Sequence, residues 1–294
     1  MKTFKIILLT SLILLQASCK QETNSLQQQN VCKGKLFIIG GGKRPDYMIK
    51  RLIKESGVDT SGYAIILPMA SEEEDSAIYY GMKQFTDMGV NSVRSVNSTL
   101  VKEFPDSCLQ LIRKASLIYI SGGDQNRFMN IIEGTSVKET LLEVYCKGAT
   151  IAGTSAGAAV MSHKMITGNE IKHPDYTGDY KSIEANNIEL KNGLGFLDQT
   201  IIDQHFIRRR RLNRMIAVCL ENPESTCIGI DESTALLIKG GIVEVVGESQ
   251  VIVLKHVCAE TKIVNGLLGG KNMDMSVYLP GDSIRIESSL RSEK

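Results

Sequence analysis

Within Gly153-Thr154-Ser155-Ala156-Gly157 a serine sits between two glycines in the order G-x-S-x-G. It follows the short apolar stretch Ala149–Ala152 and precedes a run of helix-forming residues. That arrangement suits a sharp strand-to-helix turn in which the central serine is held in a strained conformation with its hydroxyl exposed. A Cβ at either glycine would crowd such a turn. The N–H of Ala156 and the start of the next helix would face an oxyanion formed at Ser155, and Gly122 or Gly123 could add a second backbone N–H. The competing reading of the pentapeptide is an ordinary glycine-rich turn.

A serine nucleophile needs a base to take its proton and an acid to orient that base. Of the four histidines, His205 ends the apolar run Thr200-Ile201-Ile202-Asp203-Gln204. It is therefore expected at a fixed strand terminus and is the best candidate base. His163 lies near the end of the elbow helix, His173 in a polar loop and His256 in a late β-rich region. For the acid, Glu170, Asp175 and Glu184 all follow the elbow, and spacing does not choose among them. Arg208–Arg211 and Arg214 follow His205 closely. On a helix Arg211 and Arg214 share a face. Such a run can be a solvated face or an anion-binding patch. For some of these arginines the preferred reading is a bidentate grip on a substrate carboxylate.

The elements that would position these groups follow a βαβα rhythm. Lys35–Ile39, Tyr63–Pro68, Val93–Val96, Ala115–Ile120 and Ala149–Ala152 read as short buried strands. Helical periodicity separates them, at Asp46–Ser56, from Ser71 to about Met88, at Phe104–Lys114, at Asn126–Ile132 and at Val137–Lys147. This predicts an α/β fold with a doubly wound, mostly parallel sheet. In such a sheet a site forms at the carboxyl ends of the strands. Three polar clusters fall there: Gly122–Gln125, Gly153–Gly157 and Asp203–His205. The glycines Gly40–Gly42 run consecutively and do not make a dinucleotide fingerprint. Residues 163–191 read mostly as loop or marginal strand. From Cys227 onward short β segments with glycine turns predict an antiparallel extension at the C-terminal end, with Pro280-Gly281-Asp282 as a turn before a last strand at Ser283–Glu287.

The 294 residues are 43% apolar, enough for a proper core, and carry a net charge of +1. Nothing in that balance suggests a nucleic-acid partner. Residues 1–19 read as a signal peptide, with Lys2 and Lys5 ahead of the apolar run Ile6–Leu15. Leu15-Gln16-Ala17-Ser18-Cys19 resembles a bacterial lipobox, making Cys19 a candidate lipidation site and the cell envelope the expected location, with secretion the alternative. Residues 20–33 would be a polar tether and 34–294 a single catalytic domain, meeting the membrane only through the lipid. Of the six remaining cysteines, Cys219 and Cys227 are close enough in sequence to pair.

Five segments carry a resemblance: Gly122–Gln125, Gly153–Ala158 with Met161 and Met165, Leu194–Leu197, Asp203–Phe206 with its spaced arginines, and Gly229–Leu236. In order and spacing they resemble cyanophycinases over roughly Lys35–Ile238. The resemblance implies a serine peptidase with a flavodoxin-like, class I glutamine amidotransferase-like fold, related to the aspartyl dipeptidase peptidase E. It implies release of β-aspartyl-arginine from cyanophycin, a polyaspartate with arginine on each side-chain carboxylate, by a homodimer that needs no metal or cofactor. Carried over by motif, Ser155 is nucleophile, His205 base and Glu170 the acid, with Gly123 and Ala156 in the oxyanion hole. Gln125, Asp203, Gln204, Arg209, Arg211 and Arg214 would bind substrate. Arg210 stands where the family pattern has glycine. The rival readings are an aspartyl dipeptidase and a non-catalytic lipoprotein that binds a peptide or polyanion.

Overall fold

The computed structural model describes residues 32–97, 103–175, 180–257 and 260–285. The leader, Cys19, most of the tether and Cys258 lie outside the described residues. In chain order the first half runs β1 (Lys35–Ile39), α1 (Asp46–Ser56), β2 (Ala64–Leu67), α2 (Glu74–Thr86), β3 (Val93–Ser95), α3 (Asp106–Arg113), β4 (Leu117–Ile120), α4 (Gln125–Ile132), α5 (Val137–Lys147), β5 (Thr150–Thr154) and α6 (Ala156–Ala159). The second half runs β6 (Lys164–Glu170), β7 (Ile188–Asn192), β8 (Thr200–Gln204), α7 (Leu212–Glu221), β9 (Thr226–Ile230), β10 (Thr234–Lys239), β11 (Ile242–Gly247), β12 (Val251–His256), β13 (Thr261–Val264), β14 (Leu267–Gly270), β15 (Met273–Tyr278) and β16 (Ser283–Arg285).

The main sheet has the order β16-β11-β10-β1-β5-β4-β2-β3. The five strands from β1 to β3 are parallel, and β10, β11 and β16 continue the sheet antiparallel beyond β1. Side-chain alternation builds the two layers. Along β1, Leu36 and Ile38 pack with Ile112, Phe128 and Leu141 of α3, α4 and α5. Phe37 and Ile39 pack with Met48, Leu52 and Phe85 of α1 and α2 on the opposite face. Strands buried on both faces in this way need near-continuous apolar sequence, which is why these segments were readable. A second sheet, β15-β12-β9-β8, carries α7 against a core of its own around Met215, Val218 and Leu254.

The fold is thus the doubly wound, mostly parallel α/β architecture, with three differences of detail. The elbow helix α6 is only four residues long. The 163–191 region contains a real antiparallel pair, β6 with β7. The C-terminal extension also contains the hairpin β13–β14 and strand β15, and every side chain of β13 is exposed. A disulfide joins Cys32 to Cys146 across a separation of 114 residues, whereas Cys219 and Cys227 are free, buried thiols. The sequence-based pairing of Cys219 with Cys227 is therefore replaced: proximity along the chain brought the two thiols together without a bond, and the bond forms between Cys32, just ahead of β1, and Cys146 of α5.

Candidate active site

The end of β1 organises the site through three successive carbonyls. Ile39 O accepts from Ser155 N (3.0 Å), Gly40 O from His205 N (2.7 Å) and Gly41 O from Ser233 N (2.9 Å). Three segments distant in sequence are thereby pinned to one strand terminus. Ser155 sits at φ 53° and ψ −110° between β5 and α6, the strained turn expected of an elbow. Both flanking glycines are required by close backbone approach: a Cβ would come within 2.1 Å of Gly157 O at Gly153 and 2.4 Å of Ile120 O at Gly157. His205, at the end of β8, also has a positive φ of 50°. Asp231 anchors the turn after His205, its Oδ1 accepting from Ile207 N (3.1 Å) and Arg208 N (2.9 Å).

These segments assemble a chain of hydrogen bonds. Ser155 Oγ lies 2.8 Å from His205 Nε2, and His205 Nδ1 lies 2.7 Å from Glu232 Oε1. With the proton on Nδ1, Nε2 is free to accept from the serine hydroxyl. Burial holds the imidazole below the ordinary histidine value of 6.5; the hydrogen bond to Glu232 opposes this, and the charges of Arg209 and Arg211 reinforce it. His205 is therefore neutral, and able to act as a base, at neutral pH.

The carboxylate on the imidazole is Glu232, which corrects the assignment of Glu170. Glu170 ends β6, where its Oε1 accepts from Asn187 Nδ2 (2.7 Å), apart from the histidine. The signal that could have found Glu232 is the Gly229–Leu236 segment, in which it comes two residues after the buried strand β9 ends at Ile230. Its partnership with His205 depends on β9 pairing with β8, so that the two strand ends come out side by side.

The other expected site residues divide. Ala156 follows the nucleophile directly. A Cβ on Gly122 would lie 3.4 Å from Ser155 Cβ, so Gly122 borders the nucleophile more closely than sequence distinguished, while Gly123, at φ 139°, presses against Ala70 O. Gln125 is buried, and its amide donates to Ile166 O (3.0 Å) and Thr167 O (2.6 Å) on β6. Asp203, Gln204, Arg211 and Arg214 form a buried network instead of lining the site. Arg214 Nε donates to Asp203 Oδ2 (2.7 Å), its other nitrogens meet Asp203 Oδ1 and Tyr180 Oη, and Arg211 donates to Gln204 O (2.6 Å). Arg214 is 1% exposed. A guanidinium taken out of water must be paired with a carboxylate, and Asp203 meets that need before any substrate does. Arg209 alone of the three arginines is exposed, close enough to act on the His205 charge.

Beside Ser155 and His205 opens a cavity of ≈ 230 Å³, bordered by Gly41, Gly42 and Gly122 and by residues of α2, β4 and β5. A strained serine, a hydrogen-bonded neutral histidine, a carboxylate behind it and a cavity at the strand ends define the machinery of a serine-type hydrolase on a doubly wound α/β fold.

Comparison with known proteins places it more narrowly. Residues 36–246 match the model of peptidase family S51. A cyanophycinase from Nostoc sp. is 31% identical over 234 residues, covering 76% of this chain and 74% of that protein. A cyanophycinase from Geminocystis herdmanii is 32% identical over 199 residues, covering 66% and 70%. The crystal structure of a peptidase from an acI-B1 Actinobacterium superposes with a TM-score of 0.63 at 22% identity, over 88% of this chain and 99% of that one. The chain belongs to peptidase family S51 and is a peptidase.

Proposed function

We propose that this protein is a serine exopeptidase that cleaves cyanophycin or related aspartyl peptides, with Ser155, His205 and Glu232 as its catalytic triad. The observation that carries the reading is the continuous Ser155–His205–Glu232 hydrogen-bond chain at the mouth of the cavity. In the proposed reaction His205 takes the Ser155 proton as Oγ attacks an aspartyl carbonyl. The tetrahedral oxyanion is held by backbone N–H groups at Ala156 and the Gly122-Gly123 turn. The imidazolium then protonates the leaving amine. Water, deprotonated by His205, hydrolyses the acyl-enzyme and restores the serine. The similarity to cyanophycinases supports the polymer as substrate.

A second reading, an aspartyl dipeptidase, uses the same machinery and is favoured by one feature. The cavity beside Ser155 contains Arg44 and no acidic side chain among its described lining, poor surroundings for the arginine branch of cyanophycin. Export to the cell envelope through the leader and Cys19 is part of the proposal, and the Cys32–Cys146 disulfide supports an oxidising compartment. So is a homodimeric state. The test is hydrolysis of purified cyanophycin by the mature protein with Ser155→Ala as control. Release of β-aspartyl-arginine by the wild type alone is the expected result. Equal release by both proteins would remove Ser155 from the mechanism, and release by neither would move the substrate to short aspartyl peptides.

A further inference from the structure

We infer that Asp231 is a positioning residue for the triad. Held by Ser249, it clamps the segment that bears Glu232 to the turn that bears His205, and so keeps the acid on the base. The inference rests on the assignment of Ser155, His205 and Glu232 as the triad.

Strands β8 and β9 end side by side, with Gln204 opposite Ile230. Past those ends the ladder stops, and each chain has still to place a side chain: His205 on one, Glu232 on the other. The Glu232 side chain is 32% exposed, and a long carboxylate gives up rotamer freedom when it is held in one place. Asp231 supplies a crosslink where the ladder no longer does. It is 8% exposed, and its Oδ1 accepts from both Ile207 N (3.1 Å) and Arg208 N (2.9 Å), two and three residues past His205. Hydrogen bonds from backbone N–H groups to a carboxylate are of the strong, charge-assisted kind.

The second oxygen of Asp231 is held as well. Ser249 Oγ donates to Asp231 Oδ2 (2.7 Å), and Asp231 N donates to Gln250 O (3.2 Å). Ser249 N in turn donates to Thr234 Oγ1 (2.9 Å), whose hydroxyl donates to Glu232 O (3.2 Å). The connection from β11 to β12 thus closes a ring through Asp231, Ser249, Thr234 and the backbone of Glu232. Gly42 closes the space beside the acid, since a Cβ there would come 2.7 Å from Glu232 Cβ. The carboxylate of Asp231 is engaged by backbone N–H groups and a hydroxyl, none of them on the imidazole. Its part is therefore geometric: the acceptor positions hold the turn, and the turn holds His205 against Glu232.

Labelling of full-length protein by diisopropyl fluorophosphate tests this whatever the substrate. Ser155 Oγ bonds to phosphorus, fluoride leaves, and the hydroxyl proton passes to His205, so the rate reports the whole triad. Intact mass follows the reaction, and Ser155→Ala shows which residue is labelled. Asp231→Ala should slow labelling about 10- to 100-fold, the scale set by a small misplacement of a catalytic group. Asp231→Asn keeps an oxygen for Ile207 and Arg208 and should retain most of the rate. Ser249→Ala frees one side of the clamp and should slow labelling about fivefold. In a Glu232→Gln background either alanine change should cost under about twofold, because the contact it serves is already weakened. Thermal unfolding checks that each variant is folded, and the Ser249→Ala cycle carries the same comparison should Asp231→Ala fail to fold. Equal losses in both backgrounds, an Asn variant as slow as the Ala one, or wild-type labelling of folded Asp231→Ala overturns the inference. A wild type that is not labelled at Ser155 removes the triad reading itself, a failure visible before any Asp231 variant is compared.

Discussion

The α-carbon of Gly41 lies beneath the imidazole of His205, so close that a Cβ there would stand 2.3 Å from Cε1 and 2.6 Å from Nε2. The residue also sits at φ 108°, a conformation open mainly to glycine. Gly41→Ala therefore has to push the imidazole away from Ser155 or shift the end of β1, which holds all three segments of the site. Peptidase activity should fall about 100-fold or more, the usual cost of a misplacement near 1 Å in a catalytic group. Gly89→Ala is the control: its φ is likewise positive, but nothing lies within 4 Å of an added Cβ. That change should lower the melting temperature slightly and leave hydrolysis intact. Loss of activity in both variants, or in neither, would argue against the packing of Gly41 on His205.

Glu232 and Glu170 give opposite expectations. Converting Glu232 to Gln keeps the shape of the side chain but removes the charge that orients and stabilises the imidazolium. The expected loss in kcat is about 10³–10⁴-fold, by analogy with other serine triads. Glu170→Gln alters a bond between the end of β6 and Asn187, which precedes β7, and should leave kcat within about threefold, as changes away from a site do. Steady-state rates on one peptide decide between them. A large loss in Glu170→Gln with little in Glu232→Gln would return the acid to β6.

The difference between these two carboxylates shows what the sequence could and could not reveal. Ser155 is legible because its turn is local, with both glycines and the flanking strand lying within a few residues. His205 is legible because an apolar strand delivers it. Glu232 is contributed 27 residues past His205, and its placement requires knowing that β9 lies beside β8. No local pattern carries that neighbour relation. The arginines show the same limit: spacing puts Arg211 and Arg214 on one helix face, but only the position of Asp203 reveals that the face points inward. The parallel core was readable from its buried apolar runs. The late strand β13 was not, since all of its side chains face outward.

The depressed pKa of His205 sets the acid limb of activity. Burial disfavours the imidazolium, so the folded histidine titrates below 6.5. The protonated ring cannot accept the serine proton. The rate kcat/KM should therefore climb as pH rises through a value under 6.5 and be level at neutral pH. Arg209 contributes a positive charge that also disfavours the imidazolium. Arg209→Gln should raise the pKa of His205 and move the acid limb to higher pH. Because Arg209 is exposed, added salt should shrink the difference between the two proteins. A limb that stays in place at low ionic strength would show that Arg209 does not act on the histidine.

Asp203 links the site to the stability of the second sheet. Its carboxylate is 1% exposed and meets Arg214 through both oxygens, with Arg211 at 3.4 Å. Neutralising it by Asp203→Asn leaves two buried guanidinium groups without their anion, and breaking such a pair costs about 3–5 kcal/mol. Arg214→Met exchanges a buried cation for an apolar chain of similar length, yet it strands Asp203 in turn and should also destabilise. The double variant Asp203→Asn, Arg214→Met removes both charges together, so its loss should be smaller than the sum of the two single changes. Urea unfolding of the wild type and the three variants measures that coupling. Additive losses would mean the pair contributes little beyond its separate contacts. Since Gln204 and His205 continue directly from Asp203, a strongly coupled pair also predicts that weakening it loosens His205 and lowers kcat before it lowers substrate affinity.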